Sequence, residues 1–285
     1  MVERAAAAID LERFPIHESQ SQSYLALLAE VRQQLKETGC ARLKSFVNSA
    51  AARALQDEVS GVAGQAYRSY NKVNPYFTAD DPTLPASHPR RHFERRSNAF
   101  IPADSFGANS LLRAIYEWQP FTDFIRLALG ESEDSFFQYD DPLADVIVNA
   151  VDPGDGFPWH FDTNTYTVTL GIQPGEGGGT FQYHPKLRSK SGENYDRVAA
   201  VLGGDLSGVR SLTLGPGDLQ IFLGRYSLHR VTAVTGTTSR YVGIFSYANE
   251  PQMCGRVERT RQLYGRVLDI HLQREALLRG DTLHD

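Results

Sequence analysis

Two of the chain's eight histidines and one aspartate are placed where they could act together. His160 and Asp162 stand two residues apart in PWHFDTNTYTVTLGIQ, and His229 follows in PGDLQIFLGRYSLHRVTAVTGTTSRYVGIFSY. From Tyr166 to Ile172 the even positions are Tyr166, Val168, Leu170 and Ile172, and the odd ones are Thr167, Thr169 and Gly171. That period of two predicts a half-buried strand. His160 and Asp162 share the even parity, so an extended chain carried back that far aims both side chains at the apolar face, where they need a partner. Downstream, Pro216, Gly217 and Asp218 make a turn, DLQIFL a strand and GRYS a loop, and His229 opens the next strand. Two imidazoles and a carboxylate on neighbouring strands occupy one face of a metal ion and leave its other positions open. Arg240 starts a strand whose even positions, Val242, Ile244 and Ser246, share its face. A guanidinium turned into a core needs an anion, and a carboxylate gripped bidentately fits its fork best.

The elements that must hold these residues are legible along the chain. Tyr24, Leu27, Leu28, Val31 and Leu35 recur at helical spacing between Ser21 and Glu37, with Gly39 where a helix would end. CARLKSFV is a short β-leaning run, and Asn48 then caps an alanine-rich helix reaching about Gly64. Pro75, Pro82, Pro85, Pro89 and Pro102 break residues 71–108 too often for a long regular element, so this is a long loop. Residues 110–129 return to helix and stop at Gly130. Beyond them ADVIVNAV, TYTVTLGIQ, GTFQYHP, SLTL, DLQIFLG, HRVTAV and RYVGIFSY are short strands separated by Gly, Pro, Asp or Asn, spaced as in a sandwich or barrel. Val257, Leu263, Tyr264, Val267, Leu268, Ile270, Leu272 and Leu277 suggest closing helices between Arg256 and Leu278. The expected fold is mainly β with flanking α, an antiparallel double sheet in one domain over residues 1–285. Its parts are a helical N-terminal segment to about 135, a sheet core over about 136–250 and C-terminal helices over about 255–280.

The bulk numbers narrow the class of function. The chain has 285 residues, 41% apolar and 22% charged, enough for one large core. Lys plus Arg number 29 against 34 for Asp plus Glu, so there is no basic footprint for nucleic acid. Cys40 and Cys254 are far apart, and the opening MVERAAAAIDLERF offers neither an apolar signal core nor a membrane-length run. A cytoplasmic location and a small-molecule substrate are expected, with no membrane or nucleic-acid partner; the oligomeric state is left open.

HFD, the Thr-rich strand after it, GEGGGTFQY, PGDLQIF, His229 and Arg240 resemble the Fe(II)/2-oxoglutarate-dependent dioxygenases over about residues 140–250. More narrowly, NPYFTADDPTLPASHPRR, WHFD, ENYDRVAAVLGGD and RYVGIFSY resemble the branch of free-amino-acid hydroxylases and radical halogenases. The resemblance implies a double-stranded β-helix, the jelly-roll of the cupins. It makes His160, Asp162 and His229 the Fe(II) ligands, with Arg240 on the distal carboxylate of 2-oxoglutarate. It further implies O₂ as co-substrate, release of succinate and CO₂, and hydroxylation of an unactivated C–H bond in a free amino acid or derivative. Many members carry a hydroxyl residue two positions after the arginine; Val242 stands there, and Ser246 on the same face is a substitute or a substrate contact. Halogenases of the branch have a small residue where Asp162 stands, leaving a coordination position for chloride, so Asp162 implies hydroxylation.

Other residues keep two readings. Asn149 either reaches the cosubstrate or ends a hydrogen-bond ladder. HPRRHFERR is an exposed basic loop or one that folds over the pocket and offers Arg95 or Arg96 to a substrate carboxylate. Trp159 is a packing residue or a substrate contact, and GEGGGT reads mainly as a hairpin connection. His17, His88, His92, His184, His271 and His284 read as surface or structural. The same cofactors also serve desaturation, cyclisation or epimerisation, and a ligand-binding sandwich without redox chemistry is the alternative from another class.

Overall fold

The computed structural model describes residues 2–276 and residue 283. The two main antiparallel sheets among the described residues face each other. The larger runs in the spatial order Cys40–Leu43, Leu219–Phe222, Thr167–Gln173, Arg240–Ala248, Val146–Val151, Ala99–Ile101, Tyr67–Arg68, and Phe137–Gln138 joins the far end of Arg240–Ala248. The smaller is Arg210–Leu212, Phe181–His184, Leu228–Val231, Phe157–His160. This is the expected mainly β architecture with flanking helices, the jelly-roll plan.

Side-chain alternation divides the interior into layers. On Arg240–Ala248, Phe245 and Tyr247 pack outward against helices Ser49–Val62, Leu111–Glu117 and Gln119–Leu129, together with Val168, Leu170 and Ile172 of the neighbouring strand. The opposite faces enclose a second layer with Ile147, Phe157, Phe181, Phe222 and Val231, between the sheets. A third cluster, Tyr76, Trp159, Phe161, Leu187, Val198 and Leu228, covers the outside of the smaller sheet.

Local signals explain most boundaries. Ser21 accepts a hydrogen bond from Tyr24 N–H to start helix Gln22–Thr38, and Gly39 ends it at φ +68°. Asn48 caps Ser49–Val62 in the same way. The helix expected over 110–129 is two, Leu111–Glu117 and Gln119–Leu129, because Pro120 cannot donate to the preceding turn. Residues 71–108 hold no long regular element, only the short strands Lys72–Val73, Glu94–Arg95 and Ala99–Ile101 and the 3-10 turns Pro89–Arg91 and Ala103–Ser105. Helices Val2–Ala8 and Tyr195–Leu202 were not among the expected elements: each is a turn or two long, too short for a periodic signal. The closing helices are Val257–Tyr264 and Asp269–Gln273; Leu277, Leu278 and His284 lie outside the described residues. No described helix is long and apolar enough to cross a membrane.

Candidate metal centre and cosubstrate pocket

His160 and His229 are direct partners across adjacent strands of the smaller sheet. The pairing shifts between this pair and the next, Phe157 with Val231, which leaves two residues, Pro158 and Trp159, opposite Arg230 alone. This bulge turns both Phe157 and His160 to the interior and sends Trp159 to the outer cluster. Asp162 lies past the strand end, where its N–H donates to Gly224 O at 3.2 Å. Its Oδ1 stands 3.6 Å from Nε2 of His160 and 3.3 Å from Nε2 of His229. One ligand atom from each residue fits within 4.8 Å of the others.

The orientation of each donor is fixed by a neighbour. Nδ1 of His160 lies 2.8 Å from Pro158 O and Nδ1 of His229 lies 2.9 Å from Ser227 O. A carbonyl accepts only from N–H, so each ring carries a proton on Nδ1 and turns its Nε2 to the centre. Thr167 donates its hydroxyl to Asp162 Oδ2, leaving Oδ1 for the cluster. Arg225 donates to Thr163 O at 2.9 Å and so ties down the turn that carries Asp162. Burial, and then the charge of His229, push His160 down to about 4. Burial pushes the Asp162 carboxyl up, but the His229 and His160 rings beside it outweigh this and hold the group well below the usual carboxylate range. Near neutrality the trio is therefore a carboxylate with an imidazole whose Nε2 is unprotonated, a donor set that suits a first-row divalent ion with open positions.

The parity of the apolar strand does not carry back to His160 and Asp162 as the period of two predicts. His160 and Asp162 do not share a face with Tyr166, Val168, Leu170 and Ile172, which pack against the helices. Residues 163–165 bend between the two sheets, and the threonine face, Thr167 and Thr169, lines the cavity with His160, Asp162 and His229. Strand Thr167–Gln173 is thus covered on both faces, with the polar one inside.

Arg240 lies on the cavity face of its strand with Val242, Ile244 and Ser246, as the alternation predicts. It is buried, no carboxylate pairs with it among the described residues, and burial alone pushes it down to about 10, so it stays cationic near neutrality. GEGGGT does more than connect strands. A Cβ on Gly179, at φ +57°, would lie 2.8 Å from Arg240 Cδ, so this glycine makes room for the guanidinium stem. Asn149 lines the same cavity. Ser246 lines it too, but its hydroxyl is committed to Ala144 O at 2.7 Å.

The remaining candidates fall elsewhere. Arg95 is exposed, its guanidinium 5.0 Å from the Tyr70 ring. Arg96 is fully buried behind the cavity wall: Nε donates to Asn98 Oδ1 at 2.8 Å, and the guanidinium lies 5.3 and 5.4 Å from the rings of Phe100 and Phe157. Burial, reinforced by the charge of Arg259, lowers Arg96 to about 9. Trp159 packs in the outer cluster with Arg230 4.6 Å over its ring. His271 is structural, buried 3.1 Å from Asp141. Sequence reasoning missed Gly224 and Thr167 as supports of Asp162. It also missed Arg259, Thr260, Leu263 and Tyr264, by which helix Val257–Tyr264 closes the cavity. Leu263 and Tyr264 are among the apolar positions expected of that helix, and Arg259 and Thr260 stand four residues before them on the same face, a spacing that could have found them.

Comparison with known proteins agrees with this geometry. The Halogenase D family matches residues 24–264. No curated protein sequence matches the chain. The non-haem alpha-ketoglutarate-dependent carbocyclase SnoK from nogalamycin biosynthesis superimposes with a TM-score of 0.56 at 14% identity, covering 90% of this chain and 93% of its own. AviO1 from Streptomyces viridochromogenes Tue57 does so with a TM-score of 0.53 at 12% identity over 80% and 96%. The epimerase SnoN, solved with Fe3+, alpha ketoglutarate and nogalamycin RO, gives 0.53 at 10% identity over 79% and 84%. At such identities the likeness is one of fold, whereas the family match spans most of the sequence. The chain belongs to the Halogenase D family and is built on the jelly-roll of the Fe(II)/2-oxoglutarate oxygenases.

Proposed function

We propose that the chain is a non-haem Fe(II)- and 2-oxoglutarate-dependent oxygenase that hydroxylates an unactivated C–H bond of a small amino-acid-like substrate. The observation that carries this reading is the convergence of His160, Asp162 and His229 on one point of a cavity that also holds the buried, uncompensated Arg240. When bound, Fe(II) with 2-oxoglutarate supplies the reduction of O₂ that oxidises the substrate, releasing succinate and CO₂. His160 and His229 hold the ion through Nε2. Asp162 adds a third donor and offsets part of the ion's charge. Arg240 takes the far carboxylate of the oxoacid, a charge-assisted contact inside a low-dielectric wall. Asn149 is the second polar group placed to reach the cosubstrate. Phe157, Phe181, Phe222 and Val231 exclude water around the imidazoles. The shared fold of the carbocyclase SnoK and the epimerase SnoN supports the cofactor pair.

Membership of a family called Halogenase D raises halogenation as a second reading. Asp162 argues against it, since its carboxylate takes the position a halide would need and is fixed there by Thr167. The test is anaerobic addition of Fe(II) and 2-oxoglutarate to the purified protein, which should give a weak visible charge-transfer band. A folded protein that binds neither would refute the oxygenase reading. Succinate release in the presence of the common amino acids tests the substrate. If none stimulates turnover while the band forms, the amino-acid assignment falls and the metal assignment stands.

A further inference from the structure

We propose that Phe77 is a specificity-determining residue: its ring caps the substrate space and sets the longest chain that fits beside the metal centre. This deepens the oxygenase reading above and rests on it. Phe77 is half-buried and lines both the inner cavity and the pocket outside it. On one side its ring centroid lies 5.5 Å from that of His160 and 6.3 Å from that of Phe157. On the other, the guanidinium of Arg259, carried by helix Val257–Tyr264, is stacked 3.6 Å from the same centroid. One ring thus reaches from an imidazole of the metal centre to the helix that closes the cavity. The lining changes across it. Inside, the wall is largely apolar, with Phe100, Ile147, Phe157, Ile244 and Leu263; outside, Arg256, Glu258, Gln262 and Glu275 take over. A chain that ends at the ring buries apolar surface, whereas a longer one must displace the ring or overpack the space in front of it.

The backbone holds the ring there against its own preference. Phe77 sits at φ +57°, and of the five described non-glycine residues with positive φ it alone lines the cavity. A bulky residue in the left-handed region persists only where its surroundings over-determine it. Asn74, fully buried, does this. Its Nδ2 donates to Thr78 O at 2.9 Å, to Thr78 Oγ1 at 3.0 Å and to Arg90 O at 2.7 Å. Its Oδ1 accepts from the N–H groups of Tyr76 at 3.0 Å and Thr78 at 3.2 Å, and its carbonyl accepts from Phe77 N–H at 3.1 Å. Pro75 O in turn accepts from Phe161 N–H at 2.9 Å, so the turn is fastened to the segment between His160 and Asp162. Tyr76 packs the other way, into the outer cluster with its ring 5.5 Å from that of Phe161. A ring locked by its backbone and by contacts on two sides can discriminate by size, where a mobile one would yield.

The test uses the full chain loaded anaerobically with Fe(II) and 2-oxoglutarate. Straight-chain L-2-amino acids, from alanine to 2-aminooctanoate, are titrated in turn, following the perturbation of the charge-transfer band. Affinity should rise with each methylene up to a limit and then fall at least about tenfold, the order of discrimination a shaped pocket achieves against an extra methylene. Phe77→Gly removes the ring without strain, since glycine takes a positive φ readily. In it the band should persist and the limit should move to longer chains, with at least about a tenfold gain for the first chain that the unmodified protein rejects. Phe77→Leu should extend the limit less and Phe77→Trp should shorten it; both keep an apolar side chain and carry the same test if glycine loosens the fold. A ring that serves packing alone predicts weaker binding of every chain with the limit unmoved, and that result would overturn the proposal. So would the absence of any limit, or of any response to the series, in the unmodified protein. Failure of the band to form in the unmodified protein would instead remove the oxygenase reading itself.

Discussion

A methyl group built on Gly224 would lie 1.9 Å from Oδ2 of Asp162 and 2.6 Å from the Thr167 hydroxyl. The aspartate's place at the centre is thus held open by the absence of a side chain on the facing loop. Gly224→Ala must displace the carboxylate or the loop, and loss of such an orienting contact typically costs about 10–100-fold in metal affinity. Fe(II) titration of the variant should show a fall of that order, with far-UV dichroism unchanged. Native affinity would mean that Asp162 is not a ligand in this rotamer.

His160→Ala and His229→Ala each remove one of three protein donors from an open site. Both variants should lose stoichiometric Fe(II) and all succinate release while remaining folded. Full metal content in either, read by elemental analysis after gel filtration, would contradict the triad.

On the proposed reading, Asp162 sets which group is transferred to the substrate. With the carboxylate in place, product mass spectra should show a gain of oxygen and no chlorine or bromine, even in high halide. Asp162→Gly should lose hydroxylation; it opens a position for halide without supplying the contacts that would orient one. A halogenated product from the unmodified protein would reverse the assignment.

Arg240→Ala should spare the metal and weaken the oxoacid. A charge-assisted contact of this kind contributes about 1.5–3 kcal/mol, or roughly ten- to a hundredfold in apparent KM for 2-oxoglutarate. Gly179→Ala, which crowds the same guanidinium stem, should shift KM in the same direction. An unchanged KM in Arg240→Ala would reassign this arginine.

The two thiols should be silent in the native protein. Both are buried and unpaired with each other, and burial pushes each up to about 11. The thiolate is the nucleophile, so at pH 8 neither Cys40 nor Cys254 should react with an aromatic disulfide reagent until denaturant is added, when both should. Rapid labelling of Cys40 in the native state would show that the strand Cys40–Leu43 opens readily.

The cap at Ser21, the stop at Gly39 and the alternation that turns Arg240, Val242, Ile244 and Ser246 to one side are local properties, set by backbone preferences and period, and they appear in the structure as expected. The proline-broken stretch 71–108 and the run of short strands after 140 also follow from composition. His160, Asp162 and His229 could be nominated because donor types and spacing are written in the chain.

Only the tertiary structure decided which face of each strand became the inside. A strand covered on both sides shows a period of two but does not say which set meets the cavity, and Thr167 and Thr169 won that place because the helices took Val168 and Leu170. The bulge at Pro158 and Trp159 turned both Phe157 and His160 inward and Trp159 outward, a shift of register that depends on the partner strand. Arg96 was buried and Arg95 left exposed, although they are neighbours in sequence. Arg259, far from every ligand along the chain, reached the cavity because Asp141 and His271 anchor the C-terminal helices over it. Each of these outcomes depends on contacts between residues distant in sequence, which local preference and periodicity do not encode.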